Sequence, residues 1–316
     1  MRKVIEANIS TKNDMESFLN QLNLLDTDVV VKPNWTSGDH GFYTDARDLE
    51  LLLSCIRGKK YVIESYMFGR TDGSIAINAD NGKENWEWLK AQDQAFLESS
   101  GMGSLLAKYN AQYINITEEW WSGRCVTGDH IQSIVERHYS PIRHKELYDG
   151  IPTRLFELRD LPLISYSKFK YVVPSVSNFS SFSMKNLFGL IPVPNREFYH
   201  GADFDTGLSR SIVDIVTIYR SLFRVIGMIE GVYYIPVTRQ DGENRYKMIW
   251  TDYDLIENAG VMLGSEDLVT LDAYANKLAG IDPERRTVLR MGEEAFGPWD
   301  RAELAHISDK MMEKFK

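Results

Sequence analysis

A β-branched run that stops at a proline places the strongest limit on how this chain can fold. Residues 28–32 read Asp-Val-Val-Val-Lys and are followed by Pro33. Because proline cannot donate a hydrogen bond to a central ladder, the pattern predicts a buried strand that ends at Lys32. The apolar run at 61–64, which ends at Glu64, predicts the next strand.

A helix is predicted between these two strands. Thr44 or Asp45 can cap its N-terminus, and Gly58 lies where a C′ glycine is expected. The apolar positions at helical spacing are Leu49, Leu52, Leu53 and Ile56. Strand, helix and strand within about forty residues form a βαβ unit, which is expected to be parallel and right-handed.

Helices and strands alternate along the rest of the chain. Helices are predicted at 85–108, 208–223, 267–278 and 283–295, and strands at 112–116, 154–158, 163–166, 224–237 and 260–263. Segment 117–150 receives no assignment. The alternation predicts an α/β fold with a mainly parallel sheet and helices on both faces, a Rossmann-like three-layer arrangement. We expect one domain over 1–316, with two lobes meeting near 150–165 as the alternative.

Charge and composition limit the partners and the compartment. The 316 residues carry 36 Lys and Arg against 45 Asp and Glu, a net charge of −9, which argues against coating nucleic acid or anionic membrane by bulk electrostatics. No signal peptide and no apolar span of membrane length is visible, and Cys55 and Cys125 form no cluster motif. We therefore expect a cytoplasmic protein without nucleic-acid or membrane partners, and leave open whether it forms an oligomer.

Familiar catalytic signatures are missing from the sequence. It contains no GxGxxG after a strand, no GxxxxGK[ST], no HExxH and no GxSxG. Dinucleotide-binding, nucleoside-triphosphate-binding, zinc-protease and serine-hydrolase functions therefore lose their usual support.

Polar residues follow the predicted strands where ligands bind in open parallel sheets. They are Lys32 and Asn34 after the first strand, Glu64 at the end of the second, and Lys168 and Lys170 after 163–166. Taken singly, each could be a solvated strand end. Taken together they indicate an anion site, because a lysine leaving a buried strand is desolvated unless an anion meets it.

The most informative local pattern is the polar stretch 178–186. Its candidate ligand-binding residues are Asn178, Ser180, Ser181, Lys185 and Asn186. If Ser183 or a neighbour caps a short helix, backbone N–H groups, hydroxyls and Lys185 converge in a place suited to phosphate or carboxylate. The alternative is an ordinary helix cap with exposed serines.

His200 is followed closely by Asp203 and Asp205. A carboxylate can orient an imidazole and raise its basicity, which suits a general base, and the three residues together could also hold a divalent metal. A surface loop with no chemical role is the third possibility.

The order of these motifs resembles the family called domain of unknown function 362, over about residues 27–308. The matching segments are 31–34, 62–65, 167–170, 184–192, 265–273 and 280–283, with His200 downstream of the fourth. The resemblance implies a single α/β domain, but the family has no generally assigned reaction. Many members carry a ferredoxin-like cysteine segment and are described as iron–sulfur proteins. Two cysteines cannot hold such a cluster, so none is expected from this chain alone.

Two hypotheses about function follow. The first is an enzyme that acts on a small anionic metabolite, a carboxylate or a phosphate, by acid–base chemistry of the isomerase or lyase type. His200, Glu64 and Lys185 would be catalytic, and the binding residues would be Lys32, Asn34, Lys168, Lys170, Asn178, Ser180, Ser181 and Asn186. The alternative is a non-catalytic ligand-binding or redox-partner-docking protein, with an exposed apolar patch built from Trp120, Trp121 and Tyr148.

Overall fold

The computed structural model of the protein describes residues 3–78, 80–170, 181–239, 244–248 and 251–315. Within them a seven-stranded sheet forms the centre of the molecule, in the order β1-β10-β6-β5-β2-β3-β4, beside a three-stranded sheet in the order β7-β9-β8. The strands are β1 (Ile5–Asn8), β2 (Val29–Lys32), β3 (Lys60–Glu64), β4 (Gln112–Asn115), β5 (Pro162–Lys168), β6 (Arg224–Gly231), β7 (Tyr234–Val237), β8 (Tyr246–Lys247), β9 (Asp252–Glu257) and β10 (Val261–Ser265).

The central sheet is mainly parallel, and the direction in which successive strands are added to it reverses once. Strands β6, β5, β2, β3 and β4 pair in parallel, whereas β10 is antiparallel to both β6 and β1. The chain moves outward from β2 to β3 and β4, then returns to place β5 on the other side of β2. The crevice beyond the carboxyl ends of β2 and β5 is therefore a topological switch point, where open α/β sheets bind ligands.

Helices cover both faces of the central sheet. They are α1 (Lys12–Gln21), α2 (Ala46–Cys55), α3 (Trp86–Ser99), α4 (Met102–Lys108), α5 (Ile116–Trp121), α6 (Gly128–Val135), α7 (Thr153–Phe156), α8 (Ser183–Phe188), α9 (Phe204–Leu222), α10 (Leu268–Leu278), α11 (Thr287–Phe296) and α12 (Asp309–Met312). Val29 and Val31 pack with α1 to α4, whereas Val30 packs with α8 to α11. This alternation is what a strand buried on both faces produces, and it confirms the predicted three-layer α/β fold.

The small sheet supports the loop that follows β2. Tyr253 of β9 donates its hydroxyl to the His40 carbonyl at 2.8 Å, and its ring packs against Phe42. Gly41 between them has a φ of 69°, and a Cβ there would lie 2.9 Å from a Leu255 methyl carbon. Glycine at this position lets the loop lie directly on β9, which fixes residues 36–44 beside the switch point.

Several predicted boundaries are wrong for local reasons. The helix predicted at 85–108 is two helices, because Gly101 takes a φ of 75° between α3 and α4. Residues 154–156 belong to the short helix α7 and residues 157–158 form a turn, so this segment is not a strand. Gly58 does not cap α2, which ends at Cys55. A Cβ on Gly58 would lie 2.3 Å from the Thr27 carbonyl oxygen, so glycine is needed there for close approach.

The helix predicted from Pro283 begins later, at Thr287, after a single 3₁₀ turn over Pro283–Arg285. The strand predicted at 224–237 is divided between β6 and β7, which belong to different sheets. None of the helices in the described ranges combines the length and the apolar character needed to cross a bilayer.

Candidate functional site

Four charged residues mark the ends of the parallel strands beside the switch point. Lys32 ends β2, Glu64 ends β3, Lys168 ends β5, and Glu230 lies opposite Lys168 in β6. We call this edge of the central sheet, defined by these four residues, the carboxyl edge. Parallel strand pairing brings these four residues together from positions up to about two hundred residues apart in the chain.

Lys32 and Glu64 form a buried ion pair. The Lys32 Nζ donates to Glu64 Oε2 at 2.9 Å and to the Pro33 carbonyl at 2.7 Å, and the side chains are 1% and 3% exposed. The other oxygen, Glu64 Oε1, accepts from the Ser65 N–H at 3.0 Å. Burial lowers the pKa of Lys32, and the carboxylate of Glu64 opposes that effect. Lys32 and Glu64, both predicted site residues, are therefore ion-pair partners of each other.

Lys168 lies between two carboxyl groups. Its Nζ donates to Asp48 Oδ2 of α2 at 2.8 Å and to Glu230 Oε2 at 3.1 Å, and all three side chains are fully buried. Burial alone would lower the pKa of Lys168, but the two carboxyl groups raise it above its ordinary value. Burial raises the pKa of Glu230 well above its usual range, and the neighbouring Asp48 adds to the rise. Burial and the neighbouring acid therefore both favour the protonated form of Glu230, which reduces the net charge buried in this group.

Lys170 lies two residues beyond the end of β5 and is 7% exposed. Its Nζ donates to Thr36 Oγ1 at 3.2 Å and lies 4.2 Å from the centre of the Phe42 ring. No Asp or Glu oxygen of the described residues lies within 4.0 Å of this nitrogen. Burial lowers the pKa of Lys170 well below its ordinary value, and the ammonium groups of Lys185, Lys168 and Lys32 lower it further.

Helix α8 brings two predicted amides to the end of β2. Asn186 Nδ2 donates to the Lys32 carbonyl at 2.9 Å and to Ser165 Oγ at 3.2 Å, and its Oδ1 accepts from Asn34 Nδ2 at 3.2 Å. The Oδ1 of Asn34 is buried and has no hydrogen-bond partner among the described residues. The pair of asparagines therefore leaves one acceptor at the crevice.

The expectation that the start of α8 offers free N–H groups is wrong. Phe182, not Ser183, precedes the helix, and Asp272 of α10 already accepts from the Ser183 N–H at 2.9 Å and the Met184 N–H at 3.1 Å. Asp272 also accepts from the Ser183 hydroxyl at 2.5 Å. An internal carboxylate therefore occupies the place predicted for an external anion, and it anchors α8 to α10.

Lys185 of α8 and Arg196, which follows that helix, are neighbouring cations, and His200 lies beside them. Arg196 is 5% exposed and donates to the carbonyls of Tyr66, Gly189 and Ile191 and to the Met67 sulfur. Burial lowers the pKa of Lys185 to about 8, with a contribution from Arg196. Burial also lowers the pKa of Arg196 to about 10.

His200 is neutral at pH 7. Burial lowers its pKa to about 4, and the charges of Lys185 and Arg196 contribute. Its ring stacks on Phe188 at 5.7 Å between centroids. Gly189, which follows Phe188, links this group to the carboxyl edge, since a Cβ there would lie 2.8 Å from the Lys32 Nζ.

The acidic residues after His200 serve other purposes. Asp203 caps α9 by accepting from the Asp205 N–H at 3.1 Å, and Asp205 accepts from the Thr287 hydroxyl at 2.7 Å. Within the described ranges, no three His, Cys, Asp or Glu side chains are grouped so that they could hold a metal ion. The acidic partners predicted for His200 thus cap a helix and bind a hydroxyl.

Cysteine geometry does not fit an iron–sulfur cluster. Cys55 is buried at the end of α2, where its Sγ lies 3.8 Å from the Lys12 carbonyl oxygen, and Cys125 lies in the segment between α5 and α6. Neither thiol belongs to a group of described residues that could ligate iron. A cluster held by Cys ligands needs more thiolates than this chain has.

The remaining predicted residues have mixed outcomes. Asn178 and Ser180 lie outside the described residues, and Ser181 is partly buried. The apolar docking patch is wrong, because Trp121 is 8% exposed and Tyr148 is 2% exposed, while Trp120 is partly buried against the cluster around Trp121. These rings fill the core instead of a surface.

Sequence reasoning missed Asp48 and Arg196. Asp48 falls on the apolar face of α2, one turn before Leu52, and a carboxylate at such a position is a signal for a buried partner. Arg196 lies in an irregular segment after Pro194, where no periodicity distinguishes a buried cation from a solvated one.

A comparison with family models finds one match. Residues 151–277 match the family described as Domain of unknown function (DUF362). This match supports membership of the DUF362 family. The match is narrower than the 27–308 that the resemblance predicted, and it runs from just before α7 to the last turn of α10. The DUF362 segment thus contains Lys168, Lys170, Lys185, Arg196 and His200, whereas Lys32 and Glu64 lie outside it. No curated protein and no solved structure matches the chain significantly.

Proposed function

We propose that this DUF362 protein binds a small anionic metabolite, a carboxylate or a phosphate, at the switch point and acts on it by acid–base chemistry. The observation that carries the proposal is Lys170, a buried lysine whose partners among the described residues are a hydroxyl and an aromatic face, so that an anion beside it would favour its charged form. Arg196 supports it, because its positive charge is met only by carbonyl oxygens and a sulfur among the described residues.

An anion would relieve the electrostatic strain of this arrangement. A desolvated cation is unfavourable unless a negative charge compensates it, and charge-assisted hydrogen bonds are the strongest that a protein makes. Lys32 and Lys168 already have carboxylate partners, whereas Lys170 has none among the described residues, so Lys170 is the better candidate for direct ligand contact. Lys185 adds a neighbouring positive charge. The unpartnered Oδ1 of Asn34 would orient the ligand by accepting from a hydroxyl group on it.

The acid–base chemistry would fall to His200 and Lys185. At pH 7 a neutral His200 can accept a proton, and a lysine with a pKa of about 8 can lose one. Glu64 is a weaker candidate base, since both of its oxygens are already engaged by Lys32 and by the Ser65 N–H. Isomerisation or elimination beside a carboxylate would need only such proton transfers.

Binding is tested first with oxalate, a small dianion, by isothermal titration calorimetry at pH 7. Lys185→Gln should weaken oxalate binding by about 10-fold or more, as expected for loss of one charge-assisted hydrogen bond. Lys277→Gln, which changes an exposed lysine of α10, is the matched control and should leave the affinity unchanged. Equal affinities for all three proteins would contradict the proposed site.

Catalysis is tested by following exchange of carbon-bound hydrogen with solvent. A panel of small carboxylates and phosphates is incubated with the protein in heavy water and followed by proton NMR. We expect exchange at one carbon of at least one compound, and its loss in His200→Gln with binding retained. Binding without exchange for every compound that binds would leave a ligand-binding protein and exclude the acid–base reaction.

A further inference from the structure

The surroundings of Lys170 differ from those of the other lysines at the carboxyl edge. Lys32 and Lys168 each touch a carboxylate at 2.9 Å or less, whereas the Lys170 Nζ touches the Thr36 hydroxyl and the face of Phe42. The residues that hold it are themselves fixed, because the small sheet anchors the loop from 36 to 44. The amine is thus held in place by groups that do not stabilise its positive charge as a carboxylate would.

We propose that Lys170 is a nucleophile that forms an imine with a carbonyl-bearing anion, of the 2-keto acid type, held at the switch point. The inference rests on the proposed function and narrows its substrate class. The anionic end of the substrate would be held by Lys185 and by the positive field of Arg196, and its carbonyl carbon would face Lys170.

The reaction requires a neutral amine, and the environment of Lys170 supplies one. A lysine that is desolvated, or placed beside other cations, loses its proton readily and becomes a nucleophile. Both conditions hold here, since burial and three neighbouring ammonium groups lower the pKa of Lys170. An ordinary lysine in water stays almost wholly protonated at pH 7.

The chemistry balances without an oxidant or reductant. The Lys170 nitrogen attacks the carbonyl carbon, a C–N bond forms, and the carbonyl oxygen leaves as water after taking up two protons. Both of these protons come from the amine nitrogen, and the neutral imine then takes up one proton from the solvent to become positively charged. The positively charged imine then withdraws electrons from the adjacent C–H bond, which makes that proton easier for a base to remove.

Imine formation can be detected by trapping. The full-length protein is incubated at pH 7 with pyruvate or glyoxylate and sodium cyanoborohydride, which delivers hydride to the imine carbon and makes the C–N bond permanent. Peptide mass spectrometry then locates the added group. We expect addition at Lys170 at least about tenfold faster than at the exposed Lys83 and Lys277, and addition that excess oxalate suppresses.

Two variants separate a nucleophile from a binding cation. Lys170→Arg keeps a positive charge but cannot form an imine, so trapping at this position should disappear while oxalate binding is weakened less than it is by Lys170→Gln. Lys170→Gln should lose both, with circular dichroism to confirm that each variant folds. Because the mapping is done on the wild-type protein, the test does not depend on either variant folding.

The outcomes distinguish this inference from the function on which it rests. Oxalate binding without keto-acid addition at Lys170 would overturn the imine and leave the anion site intact. Addition at Lys185 in place of Lys170 would also overturn the assignment. Failure of both oxalate binding and trapping would remove the proposed function as well.

Discussion

At the scale of single residues, the lysines of the site fall into two kinds according to the groups that surround them. Lys32 and Lys168 are compensated by carboxylates from other segments, so they hold the sheet and its flanking helices together. Lys170 and Lys185 lie in the same electrostatic neighbourhood, and the pKa of each is lowered by burial. The first kind supports the architecture, and the second kind is suited to meeting a ligand.

The pKa of Lys185 sets the pH dependence of anion binding. Below a pKa of about 8 the side chain is cationic in the free protein, and above it a proton must be taken up before the anion is bound. Oxalate affinity should therefore be nearly constant from pH 6.5 to 7.5 and then fall by up to about 10-fold per pH unit for this one group. Calorimetry across this range measures the profile, because oxalate itself stays fully ionised.

Lys185→Arg is the control for this profile, because arginine stays charged throughout the range. Its affinity should decline less steeply above pH 8 than that of the wild type. The same steep decline in both proteins would show that another group titrates and that Lys185 is not in contact with the anion.

Residue types at strand ends were enough to predict the lysines of the site, but not their partners. A lysine after a β-branched run must either be compensated or meet an anion, which the sequence shows directly. Which of these applies depends on residues such as Asp48 and Glu230, which lie 120 and 62 positions from Lys168. Pairings at that separation are fixed by strand order, and strand order is not readable from one sequence.

At the scale of elements, the switch point is built by connections that cross it. Lys168 ties α2 to β5 and β6 through Asp48 and Glu230, and Asp272 ties α8 to α10. Both connections are buried and polar, so each is favourable only while every member keeps its partner. The elements around the candidate site are therefore held by buried polar groups, and removing different members of these groups should lower the stability by different amounts.

Urea denaturation at pH 7 should show different losses of unfolding free energy for different members of the triad of Lys168, Asp48 and Glu230. Lys168→Met leaves the Asp48 carboxylate buried without its cation, which should lower the free energy of unfolding by about 3–5 kcal/mol. Glu230→Gln should lower it by less than about 1 kcal/mol, because the raised pKa of Glu230 favours the protonated acid, which an amide imitates. Equally large losses in the two variants would contradict a protonated Glu230 in this triad.

The helices and strands themselves were predictable where the hydrophobic periodicity agreed with the residues that cap helices or end strands. Strand β2 and helix α2 follow from a β-branched run, a proline and a capping aspartate. Segment 154–158 was misassigned because a four-residue helix is too short to show its period. Gly58 was predicted to end a helix, and Gly101 separates α3 from α4 in the structure. Gly101 is needed for its positive φ and Gly58 for a close backbone approach, and the sequence does not distinguish these two reasons.

At the scale of the whole molecule, net charge and site charge have opposite signs. The chain carries −9, yet lysines and Arg196 gather at one side of the sheet. A negative surface with a local positive crevice favours small anions that fit the crevice over large polyanions, which the rest of the surface repels. The proposed site would therefore select small anions over large polyanions through charge.

Global stability should carry the signature of a buried neutral His200. Its pKa is about 4 in the folded protein and near the ordinary 6.5 when unfolded, so the unfolded state binds more protons between these values. Stability from this group is complete above about pH 6.5 and is lost as the pH falls toward 4, by on the order of 2 kcal/mol. Subtracting the unfolding free energies of His200→Gln from those of the wild type isolates this contribution.

That difference should decrease as the pH falls from 6.5 to 4. A difference that stays flat across this interval would mean that the His200 imidazole protonates as readily in the folded protein as in water. The cationic neighbours would then not be close to it.

The most direct test of the central claim is to locate a bound anion by crystallography. Crystals soaked in selenate, a tetrahedral dianion whose selenium scatters anomalously, should show a peak at the switch point within hydrogen-bond distance of the Lys170 or Lys185 ammonium group. Lys170→Gln combined with Lys185→Gln should abolish that peak and leave any surface peaks unchanged. Selenate found only at exposed surface positions, with an empty switch point in the wild-type crystal, would contradict the account.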